Sequence, residues 1–199
     1  MLETLYLTKS KIRRKLLGFL FSNPRKEFYL SELARLVETS PGNIQREISR
    51  FVQDELIQVK KKGNLNFYVL NPRHALYAEI KSLVLKTSGI EAGLRDLVAK
   101  HKEISFAALY GSFARNEEHG ESDIDLLIVS DKKLEAFYSA ISKLELKFNR
   151  EINPTAYSPL EFRKKIDTQD SFVTNVLKEP HRILKGSLSE FEKRITRKS

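Results

Sequence analysis

The sequence predicts an α+β protein whose two halves differ in structure and in charge. Apolar residues recur at helical spacing through most of the first 55 residues, whereas residues 56–70 have the pattern of two strands joined by a turn. From residue 104 onward, apolar strands alternate with helical segments and predict a mixed sheet. We therefore expect a first domain of residues 1–72, a helical connector of residues 73–101 and a second domain of residues 102–199.

Composition limits the class of protein. The 199-residue chain has no cysteine, which excludes disulfide frameworks and thiolate metal sites. No apolar run approaches the roughly 20 residues that span a bilayer, and the N-terminus has no signal-peptide pattern, so we expect a cytoplasmic protein without a membrane partner. The net charge of +9 is uneven, because residues 1–100 hold 18 lysines and arginines against 10 acidic residues, and residues 101–199 hold 17 against 16. A basic first half suggests a polyanionic partner.

The first half predicts three helices and a hairpin. A first helix ends at Asn23-Pro24, a short strand follows at residues 28–30, and Ser31 is expected to cap the second helix. Pro41 suits the first position of the third helix. That helix should turn Ile44, Ile48, Phe51 and Val52 inward and Asn43, Gln45, Arg46, Ser49 and Arg50 outward. The hairpin carries Lys60, Lys61 and Lys62 near its turn.

This order of elements, with SELARLVETSPGNIQREISRF at residues 31–51, resembles the winged helix-turn-helix of ArsR-like and MarR-like transcription regulators over residues 8–71. The resemblance implies that DNA is a partner and that the third helix enters the major groove. The residues expected to contact bases or phosphates are Asn43, Gln45, Arg46, Arg50, Lys60, Lys61 and Lys62. Winged helices also serve as protein-docking modules, and in that case the polar face of the third helix is solvated surface.

The connector predicts two helices broken at Ser88-Gly89. Two apolar stripes at the same spacing consist of Leu76, Ile80, Leu83 and Val84, and of Ile90, Leu94, Leu97 and Val98. The stripes can pack on neighbouring parts of the chain. Alternatively, they can form a homodimer seam that places two winged helices on a two-fold-related DNA site.

The second half contains a strand that runs directly into a glycine-serine pair. After the apolar stretch of residues 104–110, Gly111 allows a tight turn and a close backbone approach to a ligand. Residues 113–115 can open a helix whose first amides point at an anion, and the Ser112 hydroxyl can add a hydrogen bond to a phosphate oxygen. The sequence therefore predicts a phosphate-binding turn at Gly111 and Ser112.

Two aspartates mark the start of the next apolar strand. Because side chains i and i+2 of a strand point to one face, Asp123 and Asp125 should lie side by side with Ile124 turned to the core. Two close carboxylates repel each other unless a cation joins them, and Mg²⁺ usually takes one or two carboxylates together with substrate phosphates. A phosphate turn facing a carboxylate pair is suited to nucleotidyl transfer.

The glycine-serine pair, ten intervening residues and then Asp-Ile-Asp resemble the signature of the DNA polymerase beta-like nucleotidyltransferase superfamily over about residues 103–185. GSFAR…SDIDLLI looks most like the minimal nucleotidyltransferases, which include antitoxins paired with HEPN toxins. The resemblance implies that Gly111 and Ser112 hold a nucleoside triphosphate and that Asp123 and Asp125 bind two Mg²⁺ ions. It also implies a HEPN-type toxin, or another protein acceptor, as a partner.

Arg115 has two interpretations. Family members often continue as alanine-arginine-glycine, and this chain has Asn116 where that glycine stands. Arg115 therefore either steers a phosphate or pairs with the local acids Glu117 and Glu118.

This chain departs from the family's pattern at the position of the third carboxylate. By position, Asn153 occupies the slot in which the family has an aspartate that accepts a proton and shares a metal. Glu151 lies two positions earlier on the same strand face and has a longer side chain. Either Glu151 substitutes and catalysis survives, or the site binds nucleotide and metal without efficient transfer. Pro154 indicates an edge strand, or the end of a strand.

The sequence thus predicts a DNA-binding domain joined to a domain that transfers a nucleoside monophosphate from a nucleoside triphosphate to an acceptor hydroxyl with Mg²⁺. The alternative is a transcription regulator whose second domain only binds nucleotide. Further along the chain, Ser158 to Glu161 predict a capping box, and Ile183-Leu184 predict a last strand.

Overall fold

The computed structural model describes residues 10–115, 117 and 122–187. Asn116 and Glu118, on which part of the interpretation of Arg115 depends, lie outside these residues. The chain divides into two compact units. The first contains the residues up to Gly93 together with Leu146–Asn149, and the second contains Leu94–Glu145 and the residues from Arg150 onward. Throughout the described ranges, every helix is too short or too polar to cross a lipid bilayer.

The first unit combines helices with a small antiparallel sheet. Its described helices are α1 (Lys11–Ser22), α2 (Leu30–Leu36), α3 (Pro41–Gln53) and α4 (Tyr77–Thr87). Its strands β1 (Phe28–Tyr29), β2 (Ile57–Lys62) and β3 (Leu65–Leu70) pair in the order β1-β3-β2. The predicted order of strand, helix, turn, helix and hairpin is confirmed. Gly63 makes the hairpin turn with a φ of 59°.

The start of α2 corrects one expectation. Ser31 does not cap this helix, because the helix begins at Leu30 and its N-cap is Tyr29, which makes no side-chain capping bond. Tyr29 is extended because it pairs with Phe67 in the sheet, so the chain passes directly from strand to helix at this point. The prediction for α3 is confirmed, since Pro41 occupies its first turn behind the capping residue Ser40.

The inner face of α3 carries a charge that the apolar pattern did not reveal. Glu47 lies between the buried Ile44 and Ile48, and its carboxylate accepts a hydrogen bond of 2.6 Å from Nε of Arg13 on α1. The two side chains are only 10% and 8% exposed. A buried pair of this kind is costly to break, because removal of either partner leaves an uncompensated charge.

At Gly18, helix α1 lies very close to the backbone of Ser88. A Cβ atom there would lie 2.2 Å from the backbone oxygen of Ser88, so Gly18→Ala should lower the free energy of unfolding by about 1–3 kcal/mol. At Gly42 in α3, an added Cβ would have no described atom within 4 Å apart from its chain neighbours and the backbone of its own helix, so Gly42→Ala should be neutral or stabilising by up to about 1 kcal/mol. Urea unfolding of both variants checks this, and equal midpoints would contradict the close contact.

The connector helices form as predicted, with a break at Ser88-Gly89. They are α4 and α5 (Ile90–Lys100). Most of the stripe residues are buried within the single chain, namely Ile80, Val84, Ile90, Leu94 and Val98. This burial favours packing within the chain over a dimer seam.

The second unit contains a four-stranded mixed sheet. Its elements after α5 are β4 (Ile104–Tyr110), α6 (Gly111–Arg115), β5 (Ile124–Ser130), α7 (Glu135–Phe148), β6 (Ile152–Tyr157), α8 (Pro159–Asp167), α9 (Ser171–Lys178) and β7 (Arg182–Lys185). The strand order is β6-β5-β4-β7, with β5 and β6 parallel and the other pairs antiparallel. Three predictions are confirmed: β6 is an edge strand, Ser158 and Glu161 form a capping box, and β7 exists.

One face of this sheet is covered by α8 and α9. The covered residues on the strands include Ala108 of β4 and Leu127 of β5, which pack against Phe162 and Val173. Because side chains alternate along a strand, Tyr110 and Asp125 lie on this same face, one step closer to the end of each strand. The sheet therefore presents Asp125 beside a well-packed core and at its rim.

Candidate nucleotide and metal site

The site is built around the turn that follows β4. Gly111 has a φ of 70°, a conformation that L side chains rarely adopt. A Cβ atom at this position would lie 2.2 Å from Oδ2 of Asp125. Glycine is therefore required here for two reasons, the backbone conformation and the space taken by the carboxylate. The turn and the aspartate are brought into direct contact by this close approach.

The two aspartates lie at the start of β5. Asp125 pairs with Tyr110 across the antiparallel ladder, and Asp123 lies one residue before the strand. The buried Ile124 between them confirms the predicted alternation. Burial raises the pKa of Asp125, the nearby charge of Asp123 raises this pKa further, and Arg115 lowers it in part. The carboxylate pair is thus electrostatically strained when no cation is bound.

Asn153 completes the group on the neighbouring strand. In the parallel ladder Asn153 is the partner of Asp125, and its Nδ2 donates a hydrogen bond of 2.9 Å to Oδ2 of Asp123. The structure therefore gathers two carboxylates and one amide at this end of the sheet.

Glu151 lies immediately before β6 and is exposed. Its backbone oxygen accepts a hydrogen bond of 3.0 Å from the amide of Ile124. Nowhere in the described ranges do three acidic or histidine side chains gather in a group that could hold a metal ion. The carboxylate of Glu151 is therefore available to solvent and is not assembled with Asp123 and Asp125.

Ser112 and Arg115 occupy the short helix α6. In the described part of the chain no hydrogen bond engages the Ser112 hydroxyl, which is partly exposed and can bind a ligand oxygen. Arg115 donates a hydrogen bond of 2.8 Å from Nε to the carboxylate of Glu117. Of the two interpretations of Arg115, the structure shows the pairing with a local acid.

Two arginines that support the site were not found by sequence reasoning. Arg182 of β7 donates a hydrogen bond of 3.2 Å to the backbone oxygen of Phe113, and its guanidinium lies 5.2 Å from the centre of that ring. Arg150 donates a hydrogen bond to the backbone oxygen of Ser122, next to Asp123. These arginines hold α6 and the start of β5 in place. No local pattern marks them, because their partners are distant in sequence.

The residues present suit a hard divalent cation. Asp123 and Asp125 supply the carboxylate oxygens that Mg²⁺ prefers, and the raised pKa of Asp125 shows a charge that a cation would stabilise. The amide of Asn153 can offer its Oδ1 only weakly, and its Nδ2 is engaged with Asp123.

The outward face of α3 is polar and exposed. Gln45, Arg46 and Arg50 are exposed, Asn43 is partly exposed, and Gln45 donates a hydrogen bond of 3.2 Å to Ser49. On the hairpin, Lys60 and Lys62 make ion pairs of 2.8 and 2.6 Å with Glu27. Hydrogen bonds from these two lysines lower the pKa of Glu27. Two of the three hairpin lysines are thus already paired with an acid.

A mixed sheet with a glycine-serine turn facing an Asp-x-Asp pair defines a nucleotidyltransferase domain. Residues 93–186 match the family described as Polymerase beta, Nucleotidyltransferase, and residues 5–80 match the family described as EarA-like. The chain is 44% identical over 71 residues to the Methanocaldococcus jannaschii protein named "Putative protein adenylyltransferase MJ0604". This match spans 36% of the chain and 69% of that relative. The chain belongs to the polymerase beta nucleotidyltransferase family through its second half.

Solved structures with some likeness are toxin–antitoxin complexes. One contains AMP-PNP, with a TM-score of 0.36 and 16% identity over 51% of this chain and 77% of that chain. Another is a tri-AMPylated Shewanella oneidensis HEPN toxin in complex with an MNT antitoxin, with a TM-score of 0.32 and 14% identity over 52% and 75%. These TM-scores are too low to establish a common fold.

Proposed function

We propose that the second unit transfers a nucleoside monophosphate, preferentially AMP, from a nucleoside triphosphate to a protein hydroxyl. The reaction uses Mg²⁺ held by Asp123 and Asp125. The observation that supports this most is the close approach of Gly111 to Asp125, which places the glycine-serine turn directly against one of the two carboxylates. The name of the Methanocaldococcus relative supports adenylate as the transferred group.

In the proposed reaction the acceptor oxygen forms a bond to the α-phosphorus while the bond from that phosphorus to the bridging oxygen breaks. Bound Mg²⁺ would neutralise charge on the reacting phosphate. The backbone of Gly111 and the hydroxyl of Ser112 would hold the departing pyrophosphate. The acceptor proton would pass to the exposed carboxylate of Glu151, because the amide of Asn153 cannot accept a proton.

The experiment is incubation of the purified chain with each of the four labelled nucleoside triphosphates and Mg²⁺. We expect pyrophosphate release and transfer of label from ATP to a macromolecule. Mg²⁺-dependent binding of nucleotide without turnover would overturn the enzyme proposal and favour a domain that only senses nucleotide.

A proton-accepting role for Glu151 predicts a specific kinetic loss. Glu151→Gln should lower kcat by about 10²–10⁴-fold, as expected for removal of a general base. Asn153→Ala should retain most of the activity, since no proton passes to the amide. Glu135→Gln makes the same chemical change at an exposed carboxylate in the first turn of α7 and serves as the control. Steady-state pyrophosphate release measures all three, and an unchanged kcat in Glu151→Gln would exclude this role.

The acceptor that we propose is a HEPN-type toxin. The support is the likeness of GSFAR…SDIDLLI to minimal nucleotidyltransferases of the antitoxin kind. Incubation of the chain with a HEPN protein, ATP and Mg²⁺, followed by mass spectrometry of the intact toxin, should show a mass increase of one or more AMP groups. Transfer to unrelated proteins at the same rate would contradict this choice of acceptor.

We also propose that residues 1–72 are a winged helix that binds DNA through α3. The support is the exposed polar face of α3, with Arg46 and Arg50 outward, and the fixed position of this helix through the Arg13–Glu47 pair. Fluorescence anisotropy with duplex DNA over a range of salt should show tighter binding at low salt. Arg46→Ala and Arg50→Ala should each weaken it, and salt-insensitive or absent binding would favour a protein-docking module.

The pairing of Glu27 with the hairpin lysines gives a sharper prediction for DNA. Glu27→Gln should release Lys60 and Lys62 and steepen the dependence of log K on log salt by about 1–2, because each added phosphate contact contributes about 0.9. Glu38→Gln removes the same charge from an exposed pair with Lys15 and should change the slope less. Equal slopes for the two variants would place the hairpin outside the DNA interface.

A further inference from the structure

We infer that Asn153 makes this a site for a single divalent cation, because it supplies an amide where a third carboxylate would be needed to hold a second. This inference rests on the proposed function, because it concerns the metal of the same site. It concerns the number of ions bound, which can be measured whether or not transfer occurs.

The side chain of Asn153 is hydrogen-bonded to Asp123. The amide nitrogen, with its partial positive charge, lies 2.9 Å from Oδ2 of Asp123. An N–H donor at this distance takes a lone pair of the carboxylate and fixes the orientation of the group. One lone pair of Oδ2 of Asp123 is therefore already engaged by the protein.

The register of β5 and β6 places Asn153 beside the aspartates. Asn153 is the direct partner of Asp125, so the residue at this position faces both aspartates. A carboxylate here would join them as a third acid at the same end of the sheet. The amide instead contributes no negative charge, and Mg²⁺ is held chiefly by charged oxygens.

The charge of the two aspartates matches that of a single divalent cation. Two carboxylates carry a formal charge of −2, which one divalent cation balances. Within the residues that the structure describes, no third acidic or histidine side chain joins the aspartates to hold another ion. Glu151, two residues before Asn153, lies outside the strand, with its side chain exposed. It can receive a proton there without holding a metal.

The experiment counts Mn²⁺ ions by electron paramagnetic resonance in the full chain, with and without a non-hydrolysable ATP analogue. We expect one bound ion per native chain without the analogue. With the analogue we again expect one, after subtraction of the Mn²⁺ that is bound to free analogue. Asn153→Asp should bind two. Asn153→Ala should still bind one, which keeps the inference testable if the aspartate variant folds poorly. Asn175→Asp adds the same charge at an exposed position of α9 and should also bind one.

Two results would overturn the inference. One is two bound ions in the native chain, and a reduction to one in Glu151→Gln would identify the residue that holds the second. The other is a single ion in a folded Asn153→Asp, which would show that this position does not set the number of ions. Neither result depends on turnover, so failure of the proposed transfer reaction and failure of this inference are distinguishable.

Discussion

Gly111→Ala should reduce nucleotide transfer by at least about 100-fold, since a displacement of about 1 Å in a catalytic group can have an effect of that size. The φ of 70° at Gly111 is unfavourable for alanine, and its new Cβ would lie 2.2 Å from Oδ2 of Asp125. Both effects force the turn and the carboxylate apart. Steady-state transfer rates, together with a thermal unfolding curve to show that the variant is folded, measure the effect.

Gly63→Ala is the matched control for this variant. Gly63 also has a positive φ, of 59°, but apart from its chain neighbours no atom of the described residues lies within 4 Å of the position of an added Cβ. Its replacement should cost about 1 kcal/mol from the backbone conformation alone and leave transfer unchanged. Transfer that survives in Gly111→Ala would show that the contact with Asp125 does not position the reacting groups.

Asp125→Asn should have opposite effects on activity and on stability. Transfer should fall by about 10³-fold or more, because the preorganised charge that holds the cation is lost. The metal-free protein should become more stable by about 0.5–2 kcal/mol, as is common when a strained functional residue is replaced. Burial and the charge of Asp123 both disfavour the ionised form of Asp125, and the isosteric amide removes that charge.

The same carboxyl predicts a pH dependence. Because the folded-state pKa of Asp125 is raised above its unfolded value, the folded protein binds a proton more tightly than the unfolded chain does. The stability of the metal-free protein should therefore gain from this group as the pH falls through that pKa, and Asp125→Asn should lack the gain. Unfolding temperatures of both proteins across acidic pH measure this. Asp131→Asn at an exposed position after β5 is the control, and a destabilised Asp125→Asn would contradict the argument.

Much of the second unit follows from local pattern. The alternation of Asp123, Ile124 and Asp125 placed two carboxylates on one face, and Pro154 indicated an edge strand, since it has no N–H to donate. Both depend only on the geometry of a strand, which a sequence displays directly. The family resemblance, and not strand geometry, placed Asn153 with the aspartates, and its pairing with Asp125 in the ladder agrees with that placement.

The contacts between distant segments did not follow from pattern. Arg13 and Glu47 each lie on the apolar side of a helix, and their opposite charges were a signal that could have suggested a buried pair. The ion pairs of Glu27 with the hairpin lysines depend on where the chain before β1 passes the hairpin, which no local period encodes. The prediction that Ser31 caps α2 was wrong for the same reason. The start of α2 is set by the pairing of Tyr29 in the sheet, a contact with a distant segment.

Pro154 also affects how the site ages. Asparagine side chains commonly deamidate to aspartate through attack by the backbone nitrogen of the next residue, and that nitrogen must lose a proton to close the ring. Asn153 is followed by proline, whose nitrogen carries no hydrogen. The usual route from amide to carboxylate is therefore closed at Asn153. The amide next to Asp123 is a durable chemical feature of the protein that should not drift toward a third acid during its lifetime.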